Sequence, residues 1–369
     1  MRYISAHYIF PVSSPPLRNG IVCMNNDGCI VDIIDTGGKL EERERLEFYN
    51  GILVPGFVNA HCHLELSHLR NVMKPHGGLL DFITSIGKLR KADQETILDA
   101  AKKADEEMTR NGIVAVGDIS NNADSLCIKR NSRIRYHTFV ELFGLDDRRA
   151  NEIFVAAQQA KQEYDNAGMA ASLAPHAVYS MSQALWETLH QSYQSSPPQV
   201  VSMHHQESSE EIISRINKCL QMASRCLLVH NTFSTKDDLT EYISDHGRYY
   251  FVLCPGSNLF IQNRMPDLQL FTSQELCENT CLGTDSLASN TSLSILEEMK
   301  IIQQYAPDIS LEMLLQWATL NGARAFGFDR LLGSFEKGKT PGVNLITGLD
   351  FDRMQLTAES AVKTLQKIC

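Results

Sequence analysis

The sequence contains no apolar run near the ~18 residues that a membrane span needs, and no block of basic residues. With 34 Lys and Arg against 44 Asp and Glu, the net charge is −10. That balance disfavours a grip on the phosphate backbone of a nucleic acid polymer, though not the binding of a single nucleotide or nucleoside. No GxGxxG follows an early strand, no HExxH is present, and none of the ten cysteines stands in a CxxC pair. Scattered thiols in a chain of this size point to a reduced, cytoplasmic protein in which most cysteines are small buried groups. Met1–Val12 lacks a basic flank and a long apolar stretch, so it reads as a strand and not as a signal peptide. Only two tryptophans occur; Trp186 and Trp317 sit at helical spacing among apolar residues and read as core.

What is present is a globular balance, 43% hydrophobic and 21% charged over 369 residues, enough to bury a full core. From about residue 50 eight short apolar runs recur: 52–60, 113–119, 136–143, 170–177, 199–205, 225–231, 249–255 and 280–286. Their Val, Ile, Leu, Ala and Phe content suits strands covered on both faces. Between them, Thr96–Asn111, Gln183–Tyr193, Glu210–Ala223 and Ser292–Tyr305 show helical spacing. Eight strand–helix repeats predict a (β/α)8 TIM barrel, with an open doubly wound sheet as the competitor. Residues 1–50 and 332–349 read as short strands joined by glycine-rich turns, and these two pieces are expected to pair as a small β-sandwich. Residues 350–369 are expected to form a terminal helix. The boundaries are therefore 1–54 and 332–369 for the sandwich and its helix, and 55–331 for the barrel.

The chemistry lies at the strand ends. His61-Cys62-His63 closes the first strand, and alternation turns both imidazoles to one face, where they can chelate one divalent cation. His204 and His205 end the fifth, followed by Glu207; His230 ends the sixth; Asp285 ends the eighth. A barrel gathers such residues at one mouth.

In order, Pro55-Gly56-Phe57-Val58-Asn59-Ala60-His61-Cys62-His63, His204-His205-Gln206-Glu207, Leu228-Val229-His230, Cys254-Pro255-Gly256-Ser257-Asn258 and Leu282-Gly283-Thr284-Asp285-Ser286 resemble the motifs of the amidohydrolase superfamily. Leu320–Ala325 and Gly333–Lys339 extend the resemblance over nearly the whole chain. The pattern is similar to the mononuclear deaminase and chlorohydrolase-type branch, since no strand-four lysine is evident for a carbamate bridge. His63-Leu64-Glu65-Leu66-Ser67-His68-Leu69-Arg70 resembles aminofutalosine-deaminase-like members, which implies a 6-aminopurine nucleoside.

The resemblance implies that His61, His63, His204 and Asp285 hold one divalent metal ion, zinc by ligand type, with iron as the alternative. By alternation only one of the adjacent His204 and His205 reaches the site, and register decides which; His204 stands three before Glu207 and fits HxxE, which would leave His205 packing outside the barrel. A bound cation lowers the pKa of its water towards ~7, and the resulting hydroxide attacks the ring carbon. Asp285 takes the water proton, Glu207 protonates the neighbouring ring nitrogen and His230 orients the nucleophile. His176 at the end of strand four is expected to contact substrate, and Glu65 and Arg70, after strand one, to reach a base or ribose. Asn258 is expected to shape its turn.

Alternatives from other classes are opening of a cyclic amide, displacement of chloride from a chlorinated heteroaromatic, and a non-catalytic scaffold, which predicts lost ligands. Gly333-Ser334-Phe335-Glu336-Lys337-Gly338-Lys339-Thr340 matches the P-loop string, but Pro341-Gly342 opposes the helix a P-loop needs. His63-Leu64-Glu65 mimics the HxE of another zinc fold that also requires a PCxxC, which is absent. The expected partners are a small-molecule substrate and, on the resemblance, further copies of the chain, with neither membrane nor nucleic acid polymer.

Overall fold

Eight parallel strands, nearly all buried along their length, organise the molecule. In the computed structural model, which describes residues 1–40, 42–209, 217–243, 245 and 247–366, they form two groups of four. Phe57–Cys62, Ile113–Ser120, Arg135–Leu142 and Ala170–Pro175 pair in sequence order, as do Val200–His205, Arg225–His230, Tyr249–Leu253 and Thr280–Leu282. Every residue of Ile113–Ser120 and of Val200–His205 is buried, as befits strands covered on both faces.

The groups touch at two seams. At one, the His204 N–H donates to the His176 carbonyl at 2.9 Å and Ser172 Oγ to the Val200 carbonyl at 2.7 Å. At the other, the N–H groups of Thr284 and Asp285 donate to the His61 carbonyl at 3.1 and 3.0 Å, and Cys62 bridges Asp285 in parallel. The buried Asn59 reinforces this seam by donating to Thr284 Oγ1 at 2.7 Å and accepting from the Thr284 N–H at 3.0 Å.

The connecting helices start where the sequence offers caps. Asp93 accepts from the Thr96 N–H ahead of Gln94–Arg110, Ser182 from Leu185 ahead of Gln183–Ser195, and Ser294 from Glu297 ahead of Ile295–Tyr305. Of the helix expected over 210–223, residues 210–216 lie outside the described residues, and Asn217–Leu220 is helical.

Three expectations change. The apolar run 52–60 is not one strand. Leu46–Pro55 belongs to a separate mixed sheet and Phe57–Cys62 starts the parallel set. The break falls at Gly56, where a Cβ would meet Val114 Cγ1 at 2.3 Å and the Pro341 carbonyl oxygen at 2.7 Å. Second, no terminal helix forms among the described residues: Gln355–Gln366 is a strand, antiparallel to Val343–Asp350. The β-branched Thr357, Val362 and Thr364 and the free edge offered by Val343–Asp350 prevail over the helix formers between them. Third, the two terminal pieces do pair, but as one seven-stranded mixed sheet made of Arg2–Ile9, Leu17–Arg18, Ile21–Met24, Ile30–Ile34, Leu46–Pro55, Val343–Asp350 and Gln355–Gln366. Ile4, Ile9, Val22, Met24, Leu53 and Leu345 make its own apolar core. Gly333–Thr340 leads into a strand and not a helix, and Lys339 Nζ is engaged by Ser334 Oγ and Glu336, so the P-loop string binds itself.

Candidate active site and metal centre

The C-terminal ends of the parallel strands carry a cluster of buried imidazoles and carboxylates. His61 and His63 present their Nε2 atoms 3.2 Å apart. Asp285 Oδ1 lies 3.8 Å from the first and 3.6 Å from the second. The His204 ring meets His61 edge-on at 4.9 Å between centroids and stacks near His230 at 5.3 Å. The donor atoms of His61, His63 and Asp285 all lie within 4.8 Å of one another, and so do those of His61, His204 and His230.

Each member is held by a specific partner. His204 Nδ1 is 3.0 Å from the His176 carbonyl, which only accepts, so the proton sits on Nδ1 and Nε2 carries the lone pair. His230 Nδ1 donates in the same way to Asn258 Oδ1 at 2.9 Å, and its Nε2 has no hydrogen-bond partner among the described residues. Asp285 Oδ2 accepts from Ser257 Oγ at 2.6 Å and Ser289 Oγ at 2.9 Å; Oδ1 accepts from the Ser286 N–H at 2.7 Å. His230 and Asp285 both adopt positive φ, +76° and +55°. These left-handed conformations are unfavourable for such residues and are retained where the surroundings dictate them.

Burial decides the protonation states. It drives His61 well below the usual imidazole range, with the neighbouring histidines adding to the effect, and takes His63 to about 3 against the pull of Asp285. His204 and His230 are lowered for the same first reason. Burial alone would raise Asp285, but His63 and His230 hold it below the ordinary value. Glu207 is pushed up to about 7 by burial, and its Oε2 accepts from Tyr179 OH at 3.0 Å while Oε1 lies 3.6 Å from His230 Nε2.

Neutral imidazoles and an ionised carboxylate converging on one spot are the donor set of a divalent ion such as zinc. Burial keeps both rings neutral, so each has one ring nitrogen with a lone pair that can be given to a cation, and the two Nε2 atoms lie 3.2 Å apart. The residues fit a metal.

The other expected residues divide. His176 lies in the cavity wall with Nδ1 2.8 Å from Ser180 Oγ, its ring 4.5 Å from that of His204. His205 turns away, its Nδ1 2.9 Å from Asn231 Oδ1 and its Nε2 3.3 Å from Tyr242 OH. Glu65 is not among the residues lining the cavity; it is half-buried beside it, held by Arg90 Nη2 at 2.8 Å and the Asn121 N–H at 3.0 Å, and desolvation raises it to about 7. Arg70 points away altogether and pairs with Glu107 on the Gln94–Arg110 helix. Its position after strand one suggested the mouth, but the 3-10 turn Leu64–Leu69 carries it past the rim.

Glu141, Asn121, Arg90 and Tyr179 enter the site without having been singled out in the sequence. Glu141 ends the third strand and was concealed in an apolar run; the only signal was a carboxylate at a strand end. The cavity they share with His63, His176, His204, Glu207 and Asp285 measures about 210 Å³. Its opposite wall is apolar, with Leu66 and the residues Leu79, Phe82, Ile83 and Ile86 of the helix Leu79–Leu89. A larger groove of about 890 Å³ lies at the other end of the strands, around Ser172, Tyr193 and Arg225, and contains none of the cluster.

The α/β fold thus carries at its strand mouths a cluster of histidines and a carboxylate able to hold a metal. The sequence matches the amidohydrolase family over residues 52–363, and the chain belongs to that family. It is a hydrolase acting on carbon–nitrogen bonds. It is 27% identical to a 5-methylthioadenosine/S-adenosylhomocysteine deaminase of Saccharophagus degradans over 95% of this chain and 84% of the relative. Among solved structures it is similar to the Helicobacter pylori aminofutalosine deaminase in complex with methylthio-coformycin (TM-score 0.75, 21% identity, 95% of this chain and 93% of that one). It is also similar to a Xanthomonas campestris adenosine deaminase with bound zinc (TM-score 0.76, 22% identity, 93% and 84%). No helix among the described residues is long and apolar enough to cross a membrane.

Proposed function

We propose that this chain is a hydrolytic deaminase that releases ammonia from an amino-substituted N-heterocycle, first among them a 6-aminopurine nucleoside. The observation that carries the reading is a pair of donor sets that share His61, one with His63 and Asp285 and one with His204 and His230, beside a carboxyl, Glu207, that burial keeps protonatable near neutrality. The deaminases named among the relatives support it. In this reading the eight strands are a closed (β/α)8 barrel and the mixed sheet a companion domain.

His61, His63, His204 and Asp285 would hold one ion per chain, zinc by donor chemistry. When bound, such an ion lowers the pKa of a coordinated water to ~7 and supplies a nucleophile at neutral pH. Asp285 accepts the water proton at Oδ1, the oxygen turned towards His61 and His63, and returns it to the amino nitrogen, so that the C–N bond breaks and ammonia departs, while Ser257 and Ser289 fix Oδ2. Glu207 donates its proton to the ring nitrogen beside the amino-bearing carbon, which makes that carbon more electrophilic. Asn258 keeps the proton of His230 on Nδ1, so Nε2 receives a hydrogen bond from the attacking water and orients it. The apolar wall from Leu66 to Ile86 excludes bulk water from the ring.

A panel of aminopurines, aminopyrimidines and their nucleosides, assayed for ammonia with metal-loaded protein, tests the reading. Stoichiometric ammonia from 6-aminopurine nucleosides is expected. No ammonia from any compound, with metal bound, overturns it.

A further inference from the structure

We propose that the groove at the N-terminal ends of the parallel strands is a second binding site, which takes a ring-bearing organic oxyanion, a carboxylate or a phosphate ester, with Arg225 as its anchor. The site stands apart from the mouth and does not depend on what the mouth catalyses. The groove measures about 890 Å³, within the range of small-molecule sites. Arg225 opens the strand Arg225–His230 and is half-buried in the groove wall. Its side chain makes no hydrogen bond and no ion pair among the described residues, and its Nε is buried without a partner. A partly desolvated guanidinium with no acceptor is costly until a ligand supplies one.

Other polar groups around it are already engaged. Lys161 Nζ pairs with Asp165 at 2.6 Å, Tyr193 OH donates to the Leu173 carbonyl at 2.8 Å and Ser172 Oγ to the Val200 carbonyl at 2.7 Å. Ser172 Oγ therefore accepts from His137 Nε2 at 3.0 Å. Burial takes His137 to about 4, and Arg225 is the first of the cations that lower it further, so this imidazole carries no charge at neutral pH. With Lys161 balanced by Asp165, Arg225 sets the sign of the groove.

The shape of the groove suits more than a bare ion. The helix Leu320–Phe326 ends at Gly327, φ +70°, where a Cβ would meet Arg225 Nη2 at 2.6 Å and Cζ at 3.1 Å. The glycine leaves the space that the guanidinium occupies. Phe326 and Phe328, on either side of that glycine, both line the groove, so apolar rings lie next to the charge. An oxyanion carried on a planar ring matches this pairing, with its oxygens on the guanidinium fork and its ring against the phenyl groups. A cationic ligand would be repelled by Arg225. A divalent metal would lack donors, since the clusters able to hold one among the described residues lie at the mouth.

The test measures binding of benzoate and phenyl phosphate to metal-loaded protein by calorimetry, with benzyl alcohol as the uncharged control. The better anion is expected to bind more tightly than benzyl alcohol by on the order of 10–100-fold, the range for hydrogen bonds to a charged group. Which anion that is assigns the oxyanion as carboxylate or phosphate. Arg225→Gln is expected to remove the advantage. Gln159→Glu, at an exposed position of the helix Ala150–Asn166 in the groove wall, is expected to reduce it by repulsion without touching the core. Arg90→Gln, at the mouth, is expected to leave it unchanged. Melting temperatures, measured alongside, show that each variant is folded. No saturable binding of either anion overturns the site. So does binding indifferent to Arg225→Gln, or to Gln159→Glu where Arg225→Gln does not fold, and so does binding lost with Arg90→Gln instead.

Discussion

The mouth of the parallel strands and the mixed sheet follow opposite rules. At the mouth, polar groups are buried in numbers, Gln206, His230, Asn231 and Asp285 take positive φ, and His61 Nδ1, His230 Nε2 and Glu141 Oε1 lack hydrogen-bond partners among the described residues. In the mixed sheet the buried residues are mostly Ile, Val, Leu, Met and Phe, with few polar groups such as Ser5, Asn344 and Ser360, and the ladder supplies the backbone hydrogen bonds. Both regions are packed. In the sheet the left-handed residues Asn19, Arg45 and Met354 sit in turns and Thr364 Oγ1 alone lacks a partner among the described residues, whereas at the mouth such costs fall on the clustered imidazoles and carboxylates, where chemistry requires a fixed geometry. The contrast separates residues that act from residues that hold.

The sharpest way to break this contrast is Glu207→Gln, which removes a proton donor but keeps the shape. Turnover is expected to fall by about 10²–10⁴-fold while elemental analysis finds the metal unchanged; a wild-type rate would contradict the role. Lys129→Met tests the support beneath the mouth. Lys129 is fully buried against Asp118 at 2.5 Å, and Asp118 Oδ1 also accepts from the Leu64 N–H, fixing the turn after His63. Leaving Asp118 unpaired should cost about 3–5 kcal/mol, read as a lowered melting temperature. A melting point within a degree or two of wild type would show that the pair is not needed. In the sheet, Leu53→Ala should cost about 2–5 kcal/mol yet leave kcat and KM unchanged at a temperature where the variant is folded. A changed kcat there would erase the distinction between the regions.

The smallest effect concerns pH. Glu298 accepts from the Gly256 N–H at 2.8 Å and Asn290 Nδ2 at 2.7 Å, and burial raises its pKa from 4.5 to about 8. The folded protein therefore retains a proton that the unfolded chain gives up. Its contribution to stability is complete below about 4.5 and is lost as the pH rises through about 8. Glu298→Gln should flatten the decline in melting temperature between pH 5 and pH 8. An unchanged slope would show that this carboxyl does not titrate in that window.

Much of the mouth was legible because alternation along a strand is a local rule. It put His61 and His63 on one face, and it separates His204, turned to the cluster, from His205, turned to Tyr242. Glu141 was not legible, because its significance comes from Asn121 and Arg90 on other elements. Arg70 misled because closeness in sequence to His63 does not survive the turn at Leu64–Leu69. The C-terminal strand misled because its conformation is set by an edge that Val343–Asp350 provides, a tertiary influence absent from the segment itself.

That edge has a further consequence. Pro55 aligns with Val343, and Leu46–Pro55 lies between Arg2–Ile9 and Val343–Asp350. During synthesis the early strands emerge first and must wait for the last stretch of chain before their outer neighbours exist. Pairings between such distant segments close slowly, and apolar edges left open meanwhile invite association with other chains. Completion of this sheet is expected to be the late step of folding, so chains truncated before residue 343 should aggregate during refolding more readily than the 369-residue chain.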